Sequence, residues 1–229
     1  MTITAPTTLD CAWLLADPGT APAQRDMRIT LANARVDAIT PLGTAVPGRR
    51  RLALPALANA HDHARTVRSA TLGAFNQPLE GWLPFLGVVP GMDPYLCAAT
   101  SFSRSLRNGV VDLMVHYTRV QGGMPYVDEA AAVARAARDV GVRIGFAVSM
   151  RDRNGIGYSD DATVLAALRP GIRDAVAQRL AVKPVAPAQQ LAVVDEVAAM
   201  VDADGHGAHV DVQYGPTAVQ WCSTPLLEG

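Results

Sequence analysis

The amino-acid sequence predicts an α/β protein in which a small β portion precedes strands that alternate with helices. Short apolar runs separated by turn-forming residues occupy residues 10–53, a pattern typical of a small sheet. From Leu54 onward, apolar segments of strand length alternate with helical segments, which indicates βα units around a parallel sheet. We therefore expect two parts, residues 1–53 and residues 54–229.

The β portion is predicted from three short segments. Residues 11–15 and 27–31 are apolar and are separated by a stretch rich in Pro, Gly and Ala. Residues 35–39 alternate polar and apolar side chains after Ala32-Asn33-Ala34, where Asn33 can take the left-handed conformation of a tight turn.

The βα portion contains four predicted strands. The first runs into His61, and the others cover residues 110–116, 142–148 and 209–214. Helices are predicted over about 93–107, 127–140, 162–180 and 188–201, and Ser223-Thr224-Pro225 is typical of the start of another helix. A closed parallel barrel has eight βα units, so about half of one is present.

The triplet His61-Asp62-His63 ends the first predicted strand. Side chains two apart on a strand point the same way, so both imidazoles can face one metal ion, and Asp62 then points to the other face. The alternative is that the histidines only cap backbone groups at the end of the strand. Two ligands are also fewer than the roughly three that a catalytic zinc usually has.

Three other positions are candidates for a functional or a structural role. His116 ends the second predicted strand, where it can line a substrate pocket or make hydrogen bonds at the rim of the barrel. Tyr214 ends the fourth strand and can contact substrate or belong to the core. His206 and His209 precede that strand, on the face of a barrel where residues stabilise the fold, so we expect a structural role for them.

Composition excludes several classes of partner. The chain has 20 basic and 21 acidic residues, a net charge of -1 and no run of one sign, which argues against nucleic acid and anionic membranes. No apolar stretch approaches the roughly 20 residues of a membrane helix. Cys11, Cys97 and Cys222 are far apart and are predicted to be free thiols. We expect a cytoplasmic protein that acts on a small molecule.

The segment Leu-Pro-Ala-Leu-Ala-Asn-Ala-His-Asp-His, residues 54–63, resembles the metal-dependent amidohydrolase superfamily, in which the first barrel strand ends in a His-x-His pair. Residues 109–116 resemble the second strand of that family. Residues 213–216 and 221–227 resemble the fourth strand and the following helix of its cytosine deaminase and chlorohydrolase-like branch. Ala56 departs from the glycine that is common in the family.

The resemblance implies an incomplete (β/α)8 TIM barrel, about its first four βα units, preceded by a small β-sandwich portion. It implies that His61 and His63 bind one divalent metal ion, zinc or iron. His116 and Tyr214, by their positions at strand ends, are our candidates for the lining of the substrate pocket. The implied activity is hydrolysis of carbon-nitrogen, non-peptide bonds of a small cyclic substrate, as in deaminases. Binuclear branches use a lysine of the fourth strand, and since Lys183 precedes the preceding helix, the mononuclear branch fits better.

The family takes further ligands and catalytic residues from its fifth, sixth and eighth strands. Those residues would lie beyond Gly229, so we expect a truncated enzyme that holds metal weakly and is inactive as this chain alone. The alternative is a non-catalytic or split half-barrel that needs a complementing chain or forms a homo-oligomer. A phosphoesterase with an early His-x-His pair fits less well, because about 50 residues precede the pair here.

Overall fold

The computed structural model describes residues 7–45, 51–66, 69–73, 75–86, 89–118, 120, 123–180 and 185–229. The chain divides into two compact units, Met1–Ala56 and Leu57–Gly229. No helix within the described residues has the length and apolar character that crossing a bilayer requires.

The first unit contains one four-stranded sheet, in the order β3-β2-β1-β4. Its strands are β1 (Thr7–Leu14), β2 (Gln24–Ala32), β3 (Arg35–Pro41) and β4 (Leu52–Ala53). β1, β2 and β3 are antiparallel neighbours, and β4 pairs with β1 in parallel. Asn33 and Ala34, with φ of 51° and 59°, form the two-residue turn between β2 and β3. The predicted β portion and the left-handed Asn33 are confirmed.

The second unit contains a four-stranded parallel sheet, in the order β5-β6-β7-β8. The strands are β5 (Leu57–Asp62), β6 (Val110–Tyr117), β7 (Arg143–Met150) and β8 (Val210–Pro216). All four predicted strands of this part are therefore present, in sequential order. Because the strands are parallel, their carboxyl ends lie at the same edge of the sheet.

Seven α-helices are described. Two lie between β5 and β6, namely α1 (Leu79–Leu86) and α2 (Pro94–Arg107), and α3 (Tyr126–Val140) lies between β6 and β7. Three lie between β7 and β8, namely α4 (Asp161–Ala167), α5 (Pro170–Leu180) and α6 (Pro187–Ala203), and α7 (Thr224–Glu228) follows β8. The predicted helical region over 162–180 consists of two helices, α4 and α5. The backbone is extended at Leu168, and Arg169 precedes Pro170, a position that disfavours helical geometry.

Helices cover one face of the parallel sheet. Leu113, Val115 and Tyr117 of β6 are buried on that face, and so are the alternate residues Ile144, Phe146 and Val148 of β7. They pack in one core with helix residues that include Phe102, Val133 and Val197. The opposite face carries the intervening β6 residues Asp112, Met114 and His116, which are only partly buried. We call these the helix face and the open face.

A buried polar pair joins β6 to α3 on the helix face. The Tyr117 hydroxyl donates to Glu129 Oε2 over 2.5 Å, and both residues are fully buried. The hydroxyl of Tyr126 donates to the Tyr117 carbonyl at 2.9 Å and accepts from the Ser149 N–H at 3.1 Å. Burial raises the pKa of Tyr126, so its hydroxyl stays neutral and remains a donor. Tyr126 thus links the carboxyl ends of β6 and β7.

The three cysteines are buried and free, as the sequence predicted. Burial raises the pKa of both Cys11 and Cys222. These thiols act as small core residues.

We predict that Tyr117→Phe lowers the free energy of unfolding by about 1–3 kcal/mol, because it removes a hydrogen-bond donor from a buried carboxyl group while keeping the ring. Tyr95→Phe is the matched control, since the Tyr95 hydroxyl donates to Asp139 at 3.0 Å in an exposed setting. We expect its effect to stay within about 0.5 kcal/mol. Urea denaturation followed by circular dichroism measures both, and equal effects would contradict the prediction.

Candidate functional site

Three histidines lie together at the carboxyl ends of β5 and β6. The ring centroids of His61 and His63 are 4.9 Å apart in an edge-to-face arrangement. The rings of His61 and His116 are stacked, with centroids 4.4 Å apart and planes at 27°. The structure therefore brings together three of the four predicted site residues.

The pairing between β5 and β6 contains two irregularities, and the second lies at the histidines. Between Leu57 and Ala58, one step along β5 matches two steps along β6. Asn59 lies beside Leu113 and Asp62 beside Val115, so three steps along β5 match two steps along β6. This extra residue is a β-bulge. Because the two shifts cancel, Leu57 lies beside Val110 and Asp62 beside Val115 at equal spacing along the two strands. Asp62 is thereby on the helix face, and His61 lies on the open face with His116.

Side chains of β5 close this bulge. The Asn59 Oδ1 accepts from the His61 N–H at 3.2 Å, and the Asn59 Nδ2 donates to Asp62 Oδ2 at 3.1 Å. The other Asp62 oxygen accepts from the N–H of Ala64 at 2.7 Å. Asp62 therefore bonds the backbone and lies on the face opposite to the histidines, as alternation predicted.

His63 is held in one tautomer. Its Nδ1 lies 2.7 Å from the carbonyl oxygen of His116. A carbonyl oxygen can only accept, so the Nδ1 carries a hydrogen, and in the neutral form of the ring the lone pair is on Nε2. Metal-bound histidines commonly have the same arrangement, in which one ring nitrogen donates to a backbone carbonyl while the other binds the ion.

The environment favours a neutral His116. Partial burial lowers the pKa of His116 first, and repulsion from His61 and His63 lowers it further. A hydrogen bond to the backbone of Ala60 acts in the opposite direction and is the smallest contribution. A neutral imidazole has a free lone pair, so the cluster offers nitrogen donors of the kind that zinc and iron accept.

The donor set fits a divalent metal in chemistry, but its present arrangement supplies a partial site. Within the described residues, no group of three or more His, Cys, Asp or Glu side chains is placed to hold a metal ion. The stacking of His61 on His116 keeps these two rings side by side rather than aimed at one point.

The remaining sequence candidates lie elsewhere. Tyr214 is beside Val148 in the sheet, on the helix face, and is 61% exposed, so it is not brought to the histidines. Its role in the pocket stays a prediction. His206 is buried, and the His209 Nδ1 donates to the Val142 carbonyl at 3.0 Å, which favours the structural role predicted for both. Lys183 lies outside the described residues.

Two hydroxyl groups on the open face were missed in the sequence. The Ser149 Oγ, near the carboxyl end of β7, lies 3.0 Å from the Oγ1 of Thr217, which directly follows β8. Ser149 is two residues beyond Ala147, the register partner of His116, and therefore shares its face. Counting alternate positions from Ala147 would have found it.

Comparison with family sequence models and with curated proteins gave no match. Among solved structures, the chain is similar to a triazine hydrolase variant, with a TM-score of 0.64, 17% identity, and 97% of this chain and 49% of that chain covered. Atrazine chlorohydrolase from Arthrobacter aurescens TC1, complexed with zinc, gives a TM-score of 0.58 at 16% identity, with 95% and 48% covered. An amidohydrolase from Brucella melitensis gives 0.54 at 16% identity, with 91% and 45% covered. The chain has the amidohydrolase fold.

The amidohydrolase fold confirms the predicted fold class, a parallel α/β sheet of the TIM-barrel type preceded by a small sheet. The chain spans about half the length of these solved structures.

In the metal-free protein we predict that His116 titrates below the ordinary histidine value of 6.5, because burial and the two neighbouring histidines oppose its protonation. Unfolded chains then bind a proton that folded chains do not, so the free energy of unfolding falls as the pH drops below about 6.5. Imidazole chemical shifts followed by NMR measure the midpoint. His61→Ala should raise that midpoint, and a His116 midpoint above 6.5 in the unmodified chain would contradict the assignment.

Proposed function

We propose that the chain supplies the metal-facing histidines of a hydrolase that acts on carbon-nitrogen, non-peptide bonds of a small cyclic substrate, as deaminases do. The observation that carries this proposal is the cluster of His61, His63 and His116 on the open face, at the carboxyl ends of parallel strands. Parallel α/β barrels have their active sites at this end. The names of the similar structures, a triazine hydrolase and a chlorohydrolase complexed with zinc, support the same class of chemistry.

In this proposal His61 and His63 hold one divalent ion, zinc or iron. Such an ion, when bound, polarises the electrophile and lowers the pKa of its water towards about 7. The carbonyl of His116 fixes the tautomer of His63, and the neutral imidazole of His116 lines the substrate pocket. Two histidine ligands bind weakly by themselves, so we expect modest metal affinity in this chain.

The substrate is proposed to be a small, uncharged or weakly charged molecule. The near-zero net charge and the absence of charge runs in the sequence favour this class over nucleic acid. A pocket-lining role of Tyr214 is part of the proposal and is tested by the same binding assays. We also propose a cytoplasmic location, in keeping with three buried free thiols.

We predict that His61→Ala and His63→Ala each weaken zinc binding at least about tenfold, because each removes one of two nitrogen ligands. His209→Ala is the control, since His209 bonds a backbone carbonyl far along the chain and is not part of the cluster. Competition with a chromogenic chelator measures the affinity. Zinc affinity that survives both substitutions would sink the assignment.

A second candidate function is a half-barrel that a complementing chain, or another copy of this chain, completes. The described parallel sheet favours it, because β5 and β8 each have one neighbouring strand, and unpaired strand edges promote association. Large apolar side chains near these edges are exposed, namely Leu57 at 49% and Val219 at 74%.

For this second candidate we predict self-association or capture of a complementing chain. Light scattering coupled to size-exclusion chromatography, over a hundredfold range of protein concentration, measures the mass. A dimer or larger species that dissociates on dilution is expected. A monomer at every concentration that also fails to bind the dye ANS would rule out an uncovered association surface.

A further inference from the structure

The bulge in β5 is held by the side chains of Asn59 and Asp62, which we call the bracket. Asn59 accepts from the N–H of His61 at 3.2 Å and donates to Asp62 at 3.1 Å, while Asp62 accepts from the N–H of Ala64 at 2.7 Å. Three hydrogen bonds therefore run in series from Asn59 to Ala64. The backbone N–H of His61 and that of Ala64 are both satisfied by side chains in this segment.

The position of the bracket explains how it can act on the histidines. Asn59 lies beside Leu113 and Asp62 beside Val115, so both side chains belong to the helix face, directly behind the open face on which His61 stacks against His116. A bulge takes a residue out of the regular ladder and needs other partners for its backbone groups. Asn59 and Asp62 supply those partners.

Loss of the bracket allows a different alignment of the segment. If Asn59 kept its place beside Leu113 and the pairing continued without the bulge, His61 would turn towards Val115 and His63 towards Tyr117. Val115 and Tyr117 are fully buried under the helices. Two imidazoles cannot enter that packed layer without cost. The segment would then leave the sheet or lose its defined orientation, and His61 would no longer meet His116.

We propose that Asn59 and Asp62 are positioning residues for the metal-facing histidines, acting through the bulge that they close. The functional part of this inference rests on the proposed metal role of His61 and His63. The structural part, that the bracket fixes the contact between the His61 and His116 rings, stands apart from any metal.

The test is an exchange of the two side chains. Asn59→Asp alone places two carboxylates where Asn59 Nδ2 now donates to Asp62, so it removes one hydrogen bond and adds repulsion between like charges. The double variant Asn59→Asp/Asp62→Asn restores all three bonds. In it, the carboxylate introduced at position 59 accepts from the His61 N–H and from the new amide at position 62, and the oxygen of that amide accepts from the Ala64 N–H. The total charge of the segment is then unchanged.

Two readouts separate positioning from general stability. NMR of the metal-free full chain reports the contact between the His61 and His116 rings, and titration with cobalt(II) reports metal affinity together with a visible spectrum that depends on ligand geometry. Asn108→Asp is the matched control, since the Asn108 Nδ2 donates to the Arg104 carbonyl at 2.7 Å at the end of α2, away from the bracket. Thermal unfolding is measured for every variant.

We expect Asn59→Asp to lose the ring contact and to weaken cobalt binding at least tenfold, with the exchange variant returning to within threefold of the unmodified chain. Asn108→Asp should lower thermal stability without moving either readout. Retention of the ring contact in Asn59→Asp overturns the proposal, and so does failure of a folded exchange variant to regain it. If Asn59→Asp does not fold, the exchange variant alone decides by the same criterion. If no variant binds metal, the metal role is refuted and the ring contact still decides the positioning role.

Discussion

The unshifted parallel pairing of β6, β7 and β8 is the constraint on which the second unit depends. From Asp112 to Tyr117, each β6 residue has a β7 partner in order, and β7 continues in register with β8. One slip would exchange the helix face for the open face along a whole strand. Because the register holds, the buried apolar side chains on the helix face of β6 and β7 pack in one core with α2, α3 and α6, and the polar strand ends come to one edge.

The sequence predicted this part of the fold because its signals are local and repeated. Segments such as residues 142–148 are rich in branched apolar residues, and they are bounded by residues that end helices, for example Gly141 with φ of 84°. The break at Arg169–Pro170 was missed because the helical pattern continues on both sides of it. The break depends on Arg169, which precedes a proline and is therefore disfavoured in helical geometry. Glu129 was also missed, since its partner Tyr117 is 12 residues away and meets it only once α3 packs on β6.

The candidate site shows the same division between local and non-local information. Alternation along β5 correctly placed His61 and His63 on one side and Asp62 on the other. It could not tell which side faces the helices, because that depends on how β5 aligns with β6, a strand about 50 residues further along the chain. The stack of His61 on His116 and the bond from His63 to the His116 carbonyl follow from that alignment. Tyr214 illustrates the opposite outcome, since its register with Val148 turns it away from the cluster.

The extra residue in β5 has a counterpart in β6. From Leu57 to Ala58 the partner strand advances two residues, from Val110 to Asp112, and from Asn59 to Asp62 the partner strand advances two residues while β5 advances three. The segments Leu57–Asp62 and Val110–Val115 are therefore equal in length, and the pairs at both ends keep the same alignment. Inserting or deleting one residue between Leu57 and Asp62 would remove this balance, so the length of this segment is tied to the alignment of His61 with β6.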